Sequence, residues 1–304
     1  MIFLDNFRLP TKEDEYEILN IKGVQNGGPF AYINNSYPCG LFTEKELTGL
    51  DFKEVTILYG GNGSGKSTLL NLIAKKLNLR SLTPYNQSEM IDLYLSRCRY
   101  GLGYDDYGYE NYIPDGSRII KSDDIFDYML AVRGHNQEIS DNTDIMRDEW
   151  VKLRYGETVK LNGIEDFEKY RLQVESRRNT LSRRNFLKKI AGKEVKLNSN
   201  GETALEYFDK NLKENGLYLL DEPENSLSPE RCIELKELLE QKAKYFNCQF
   251  IIATHSPFIL SIEGAKIYDL DSVPVDLKNW WELKNTRVYF DYFYKNKDLF
   301  LKKK

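Results

Sequence analysis

Lys66 is followed by Ser67 and Thr68 and preceded by Gly60-Gly61-Asn62-Gly63-Ser64-Gly65, a run in which four of six residues are glycine. Such a run lets the backbone curl so that successive N–H groups face one point, an arrangement suited to negative charge. A lysine at its end can reach the β and γ phosphates of a nucleoside triphosphate, and the next hydroxyl can ligate the accompanying magnesium ion. The apolar run Val55-Thr56-Ile57-Leu58-Tyr59 precedes the loop, and Leu69, Leu70 and Ile73 follow it at helical spacing. Strand, loop and helix thus stand in the order a phosphate-binding loop requires, with the helix N-terminus aimed at the phosphates.

Three further segments carry chemistry of the same kind. Leu217-Tyr218-Leu219-Leu220 reads as a buried strand ending in Asp221-Glu222, where a parallel sheet presents its carboxyl edge to ligands. Asp221 there can hold magnesium through water, and Glu222 can orient or deprotonate the attacking water. A third strand, Gln249-Phe250-Ile251-Ile252-Ala253-Thr254, runs into His255-Ser256-Pro257. An imidazole at that edge can hydrogen-bond the γ phosphate or the water beside it. Ser199-Asn200-Gly201-Glu202-Thr203 precedes a helical pattern from Ala204 to Phe208, a small-residue turn whose N–H groups suit another phosphate.

The elements that must position these groups are an α/β core of buried strands and covering helices. With 304 residues, 41% hydrophobic content and a net charge of -4, the chain can bury a substantial core without covalent staples. Cys39, Cys98, Cys232 and Cys248 form no C-x-x-C pair and only two histidines occur, so neither a zinc site nor a disulfide framework is indicated. Met1-Ile2-Phe3-Leu4-Asp5 reaches an acid too early for a signal peptide, and no apolar run approaches a membrane span. The expectation is a cytoplasmic protein with no membrane partner.

Together the four segments resemble the ATP-binding-cassette class of P-loop ATPases: the phosphate loop at Gly60 to Ser67, a signature turn at Ser199 to Glu202, the Asp221-Glu222 pair and a switch histidine at His255. The wording Asp221-Glu222-Pro223-Glu224-Asn225-Ser226-Leu227 and Ala253-Thr254-His255-Ser256-Pro257 is similar to the soluble branch. That branch holds AAA-family, structural-maintenance-of-chromosomes, RecF-like and overcoming-lysogenization-defect proteins. The resemblance implies ATP and Mg2+ as ligands, with Gly60, Asn62, Gly63, Ser64, Gly65, Lys66, Ser67 and Thr68 around the phosphates. It implies Ser67 and Asp221 on the metal, and Lys66, Glu222 and His255 in the hydrolysis of ATP to ADP and phosphate. Ser199, Gly201 and Glu202 would complete the nucleotide site of a second copy, so that ATP drives a homodimer. The signature departs from the transporters' L-S-G-G-Q, the usual aspartate after the acid pair is replaced within Ser226-Leu227-Ser228, and Asp123 or Asp124 stands where a magnesium-sensing glutamine belongs. Two other roles compete with a switch in DNA maintenance or anti-phage defence: the motor subunit of a membrane transporter, and a non-hydrolysing ATP-sensing scaffold.

The expected layout is one ATPase domain, with a core of residues 1–82 and 196–304 and a mainly helical inserted lobe at 83–195. Within the lobe, Cys98 to Tyr112 is dense in tyrosine, glycine and acid and reads as a loop or irregular hairpin. From Lys169 to Lys193 nine basic residues face the single acid Glu175, a helix able to attract nucleic acid. The tail from Asp276 carries Trp280, Trp281, Tyr289, Phe290, Tyr292, Phe293, Tyr294 and Phe300, read as an amphipathic helix that closes the core, pairs with a second copy or docks a separate effector protein.

Overall fold

The computed structural model describes residues 1–21, 36–83, 89–105, 107–133, 151–152, 170–171, 173–174, 177, 200–225 and 227–301. The chain divides into two compact units, one of residues 1–125 and 200–304, the other of residues 126–199. Residues 83–125, expected within the inserted lobe, fall in the first unit.

The first unit is built on a six-stranded sheet. In chain order its strands are β3 (Val55–Tyr59), β5 (Arg118–Lys121), β6 (Gly216–Asp221), β7 (Cys248–Ala253), β8 (Lys266–Asp269) and β9 (Asp276–Leu277). In space the order is β5-β6-β7-β3-β8-β9, parallel throughout except for β9. β3 and β7 are buried at every residue, and β6 at all but its last. Such unbroken apolar runs are what a strand covered on both faces requires. Helix α2 (Lys66–Lys76) follows the phosphate loop and buries Leu69, Leu70, Leu72, Ile73 and Ala74. Helix α5 (Pro229–Tyr245) starts at an N-cap, Ser228, with Pro229 in its first position, and buries Cys232, Leu235, Leu239 and Ala243. That spacing of three and four residues is one helical stripe.

A second sheet of three antiparallel strands, β1 (Leu4–Arg8), β2 (Gly49–Asp51) and β4 (Arg99–Leu102), has the order β2-β1-β4. One wholly buried glutamine joins it to the large sheet. Gln249 in β7 accepts from the amides of Phe3 and Leu4 at 2.9 Å each, and donates to the carbonyls of Leu4 at 2.8 Å and Lys53 at 3.1 Å. All its polar capacity is used, which is what a buried amide needs. Helices α1 (Lys12–Ile21) and α3 (Glu89–Arg97) accompany this sheet. The tyrosine-rich segment after it is an irregular turn closed by a Tyr104–Glu110 bridge, with Tyr104, Tyr107, Tyr109 and Tyr112 exposed.

Helix α4 (Asn200–Asn211) enters β6, and α6 (Pro257–Leu260) follows β7. The tail forms helices α7 (Lys284–Lys295) and α8 (Lys297–Leu301). It is helical as the sequence suggests, but it does not close the core. Only Leu283 and Thr286 at its root are buried, while Tyr289, Phe290, Tyr292, Phe293, Tyr294 and Phe300 stay exposed. In the second unit residues 126–133, 151–152 and 170–171, 173–174 and 177 are helical. Of the basic stretch 169–193, Arg171 and Arg177 alone among the cations are described. The rest lies outside the described residues. Among the described residues no helix is long and apolar enough to cross a membrane.

Candidate nucleotide site

The carboxyl ends of β3, β6, β7 and β8 lie side by side, so the phosphate loop, the acid pair and the histidine loop leave the sheet at one edge. After β3 the loop turns through Gly63 at φ +81° and Gly65 at φ +100°, conformations open to glycine and strained for other residues. A Cβ on Gly65 would also sit 3.1 Å from the ring of Phe42. Lys66 folds back over the loop, 5% exposed, donating to the carbonyls of Gly60 at 2.7 Å and Gly61 at 3.1 Å. Asn62, Gly63, Ser64, Gly65, Lys66, Ser67 and Thr68 line a cavity of about 340 Å³ together with Tyr37, Leu41 and Glu222. A larger cavity of about 750 Å³ lies at the opposite, amino-terminal edge, against Val55, Ala243 and Ile262. None of the motif residues reaches it, so the smaller cavity is the candidate site.

β6 delivers the two acids to different neighbours. Ser67 donates from Oγ to Asp221 Oδ1 at 2.9 Å, which brings the two expected magnesium ligands together. Burial pushes the Asp221 carboxyl up to about 6, against the lowering effect of the Ser67 hydrogen bond. A half-buried carboxylate held by one hydroxyl is a donor set short of positive charge, and it fits a divalent cation bound through oxygen. Glu222 turns off the strand in the left-handed region, at φ +49°. Its carboxyl lies 3.8 Å from Lys66 Nζ and 3.7 Å from His255 Nδ1. Asn225 Nδ2 donates to its second oxygen at 3.0 Å. Lysine, glutamate and histidine, expected to act on one triphosphate, therefore converge from three strand ends.

The other predicted residues are placed less directly. Ser199 lies outside the described residues. Gly201 and Glu202 stand in the first turn of α4 rather than in a loop before it, and Glu202 pairs with Arg231 at 3.0 Å. Asp124 is buried and accepts from the amide of Lys121 at 2.9 Å, as a cap on helical residues 122–133; Asp123 beside it is exposed.

Four residues given no role from the sequence complete the site. Tyr37 lines the cavity and donates from its hydroxyl to Thr68 Oγ1 at 2.7 Å. Lys45 donates to the carbonyls of Ser64 at 2.8 Å and Leu270 at 2.6 Å, and burial pulls its ammonium below the usual lysine range. Asp271 accepts from the Gly61 amide through both oxygens, at 3.0 and 2.9 Å. Glu224, quoted in the sequence only as part of a motif, reaches across to the histidine loop. The tyrosine content near the N-terminus was a signal for a residue such as Tyr37. Lys45 and Asp271 gave none, because only the fold brings them to the loop.

The sheet order, the glycine loop and the acid pair together have the arrangement of a P-loop nucleotide-binding α/β fold. Residues 203–261 match the family model "AAA domain, putative AbiEii toxin, Type IV TA system", a span that holds the acid pair and the histidine. No curated protein matches the sequence. Among solved structures, the chain is similar to the Smc head domain bound to the C-terminal domain of ScpA from Pyrococcus furiosus, with 13% identity, TM-score 0.40, and coverage of 80% of this chain and 94% of that one. The SMC head domain from Thermotoga maritima gives 16% identity and TM-score 0.36, over 73% and 88% of the two chains. A dimeric ATP-binding cassette in a post-hydrolysis state with ADP and Pi gives 15% identity and TM-score 0.34, over 76% and 88%.

Proposed function

We propose that this chain hydrolyses ATP and uses the cycle as a switch between an ATP-bound homodimer and separate copies. The observation that carries the reading is the convergence on Glu222, which lies 3.8 Å from Lys66 and 3.7 Å from His255 at the mouth of the phosphate-loop cavity. Lys66 and the loop amides hold the phosphates, and Tyr37 and Leu41 offer an apolar wall for the base. Ser67 and Asp221 hold Mg2+, which neutralises charge on the phosphates when bound. Glu222 takes a proton from the water that attacks the γ phosphorus; the bond to the bridging oxygen breaks, and ADP leaves with phosphate. His255 hydrogen-bonds the γ phosphate and so distinguishes triphosphate from diphosphate. Ser199, Gly201 and Glu202 serve the nucleotide of the second copy.

The resemblance to the soluble branch supports a cytoplasmic role in DNA maintenance or anti-phage defence, with a separate effector protein and nucleic acid held by the basic residues between Lys169 and Lys193. The experiment is ATP turnover by wild type and Glu222→Gln, with mass measured in Mg·ATP, each with and without DNA. Wild type should turn over, faster with DNA, and Glu222→Gln should lose hydrolysis by about 100-fold or more while remaining a dimer. A wild type that neither hydrolyses nor dimerises overturns the reading.

A further inference from the structure

Glu224 stands two residues beyond Glu222, yet its carboxyl is buried among the backbone of the next strand's exit. The whole residue is 9% exposed. Its Oε1 accepts from Thr254 Oγ1 at 2.5 Å and from the amides of His255 and Ser256 at 3.2 Å each. Its Oε2 is buried and has no hydrogen-bond partner among the described residues, which costs free energy. The same oxygen that gathers the three donors lies 3.9 Å from His255 Nδ1.

The turn that holds Glu224 is itself closed. Asn225 N donates to Glu222 O at 3.1 Å and Leu227 N to Glu224 O at 3.0 Å. The amide of Glu222 donates to Ala253 O at 2.9 Å, one step past the β6–β7 ladder. The acid turn and the histidine loop are thus joined twice, by one backbone bond at Ala253 and by the three-donor clasp at Glu224. With the clasp in place, the peptide of His255 cannot rotate without breaking bonds to a buried carboxylate, so the loop keeps the residue where its ring reaches 3.7 Å from Glu222.

We infer that Glu224 is the positioning residue of this site: it fixes the His255 loop to the acid turn, so that histidine and Glu222 meet one γ phosphate together. The inference rests on the hydrolytic reading for its kinetic consequence, but not for its geometry. Misplacing a reacting group by about 1 Å costs on the order of 100-fold in rate. Glu224→Ala should therefore lower kcat by about 10- to 100-fold with KM for Mg·ATP nearly unchanged, the pattern of a contact that matters only in the transition state. Glu224→Gln keeps an acceptor oxygen for all three donors and should restore most of kcat. In a His255→Ala background, Glu224→Ala should lower kcat no further, because residues acting through one another are not additive.

The chain has two histidines, so the His255 imidazole signal in NMR is assignable by its loss in His255→Ala. Without nucleotide it should move in Glu224→Ala and return in Glu224→Gln. If wild type fails to hydrolyse ATP, the hydrolytic reading falls while the NMR comparison still decides the clasp. An unmoved imidazole signal, a Glu224→Ala effect that multiplies with that of His255→Ala, or a rise in KM at constant kcat overturns the positioning role.

Discussion

Replacing Asp221 by asparagine should make the nucleotide-free protein more stable while removing its response to Mg·ATP. The carboxyl is raised from 3.8 to about 6, with burial as the first cause. The folded state therefore binds more protons than the unfolded chain between those values, and stability falls as pH rises through that window. Only well below pH 3.8 are both states protonated and nothing lost. The full penalty is about 3 kcal/mol, with about half of it present at pH 5 and nearly all above pH 7. Asparagine keeps an oxygen for the Ser67 hydroxyl, now 2.9 Å away, but carries no charge. Thermal unfolding in EDTA at pH 5 and pH 8 reads the difference. Asp221→Asn should exceed wild type by about 6 °C at pH 8 and by about half that at pH 5. Added Mg·ATP should then raise the Tm of wild type and leave that of the variant nearly where it was. A variant no more stable than wild type at pH 8, or a gap that does not widen between the two pH values, refutes the argument that an uncompensated carboxylate is stored at the end of β6.

Two further outcomes follow from the residues that no motif announced. Tyr37→Ala removes a wall of the cavity and the hydrogen bond to Thr68, so KM for ATP should rise by about 10-fold with kcat little changed; steady-state turnover checks it. Lys45→Met leaves two carbonyls of the phosphate loop and of Leu270 without their donor, so nucleotide affinity by calorimetry should weaken and stability should fall by about 1–3 kcal/mol in denaturant unfolding.

The parts legible in the sequence are those whose chemistry is local. Val55 to Tyr59 announces a buried strand by its unbroken apolar run, and Gly63 and Gly65 announce a left-handed turn because other residues resist it. The pairing of Ser67 with Asp221, 154 residues apart in the chain, was legible only because the phosphate loop after β3 carries one and the end of β6 the other, at the edge the motifs define. Arg99 to Leu102 falls in the stretch read as a loop or irregular hairpin, and its pairing as a strand of the small sheet was not foreseen. Its residues are exposed or half-buried and carry no alternation, and it becomes a strand through pairing with β1 across the small sheet. Gln249, Lys45 and Asp271 gave no warning for the same reason, since each owes its role to backbone groups far away in sequence. The tail shows the opposite case: its aromatic spacing correctly predicted a helix, but spacing cannot say whether a helix finds a surface to cover.

The strand order has a consequence for how the protein is made. β3 ends at Tyr59, but its neighbours on both sides, β7 and β8, begin at Cys248 and Lys266. On a ribosome adding about 5–20 residues per second, this strand and the complete phosphate loop wait roughly 10–40 s for their first hydrogen-bonded neighbour. During that interval Val55 to Tyr59 has two open edges. Synthesis past Asp269 closes the sheet on both sides of β3, so the edge that carries the candidate site is assembled as the open strand edges are covered, within the same few seconds.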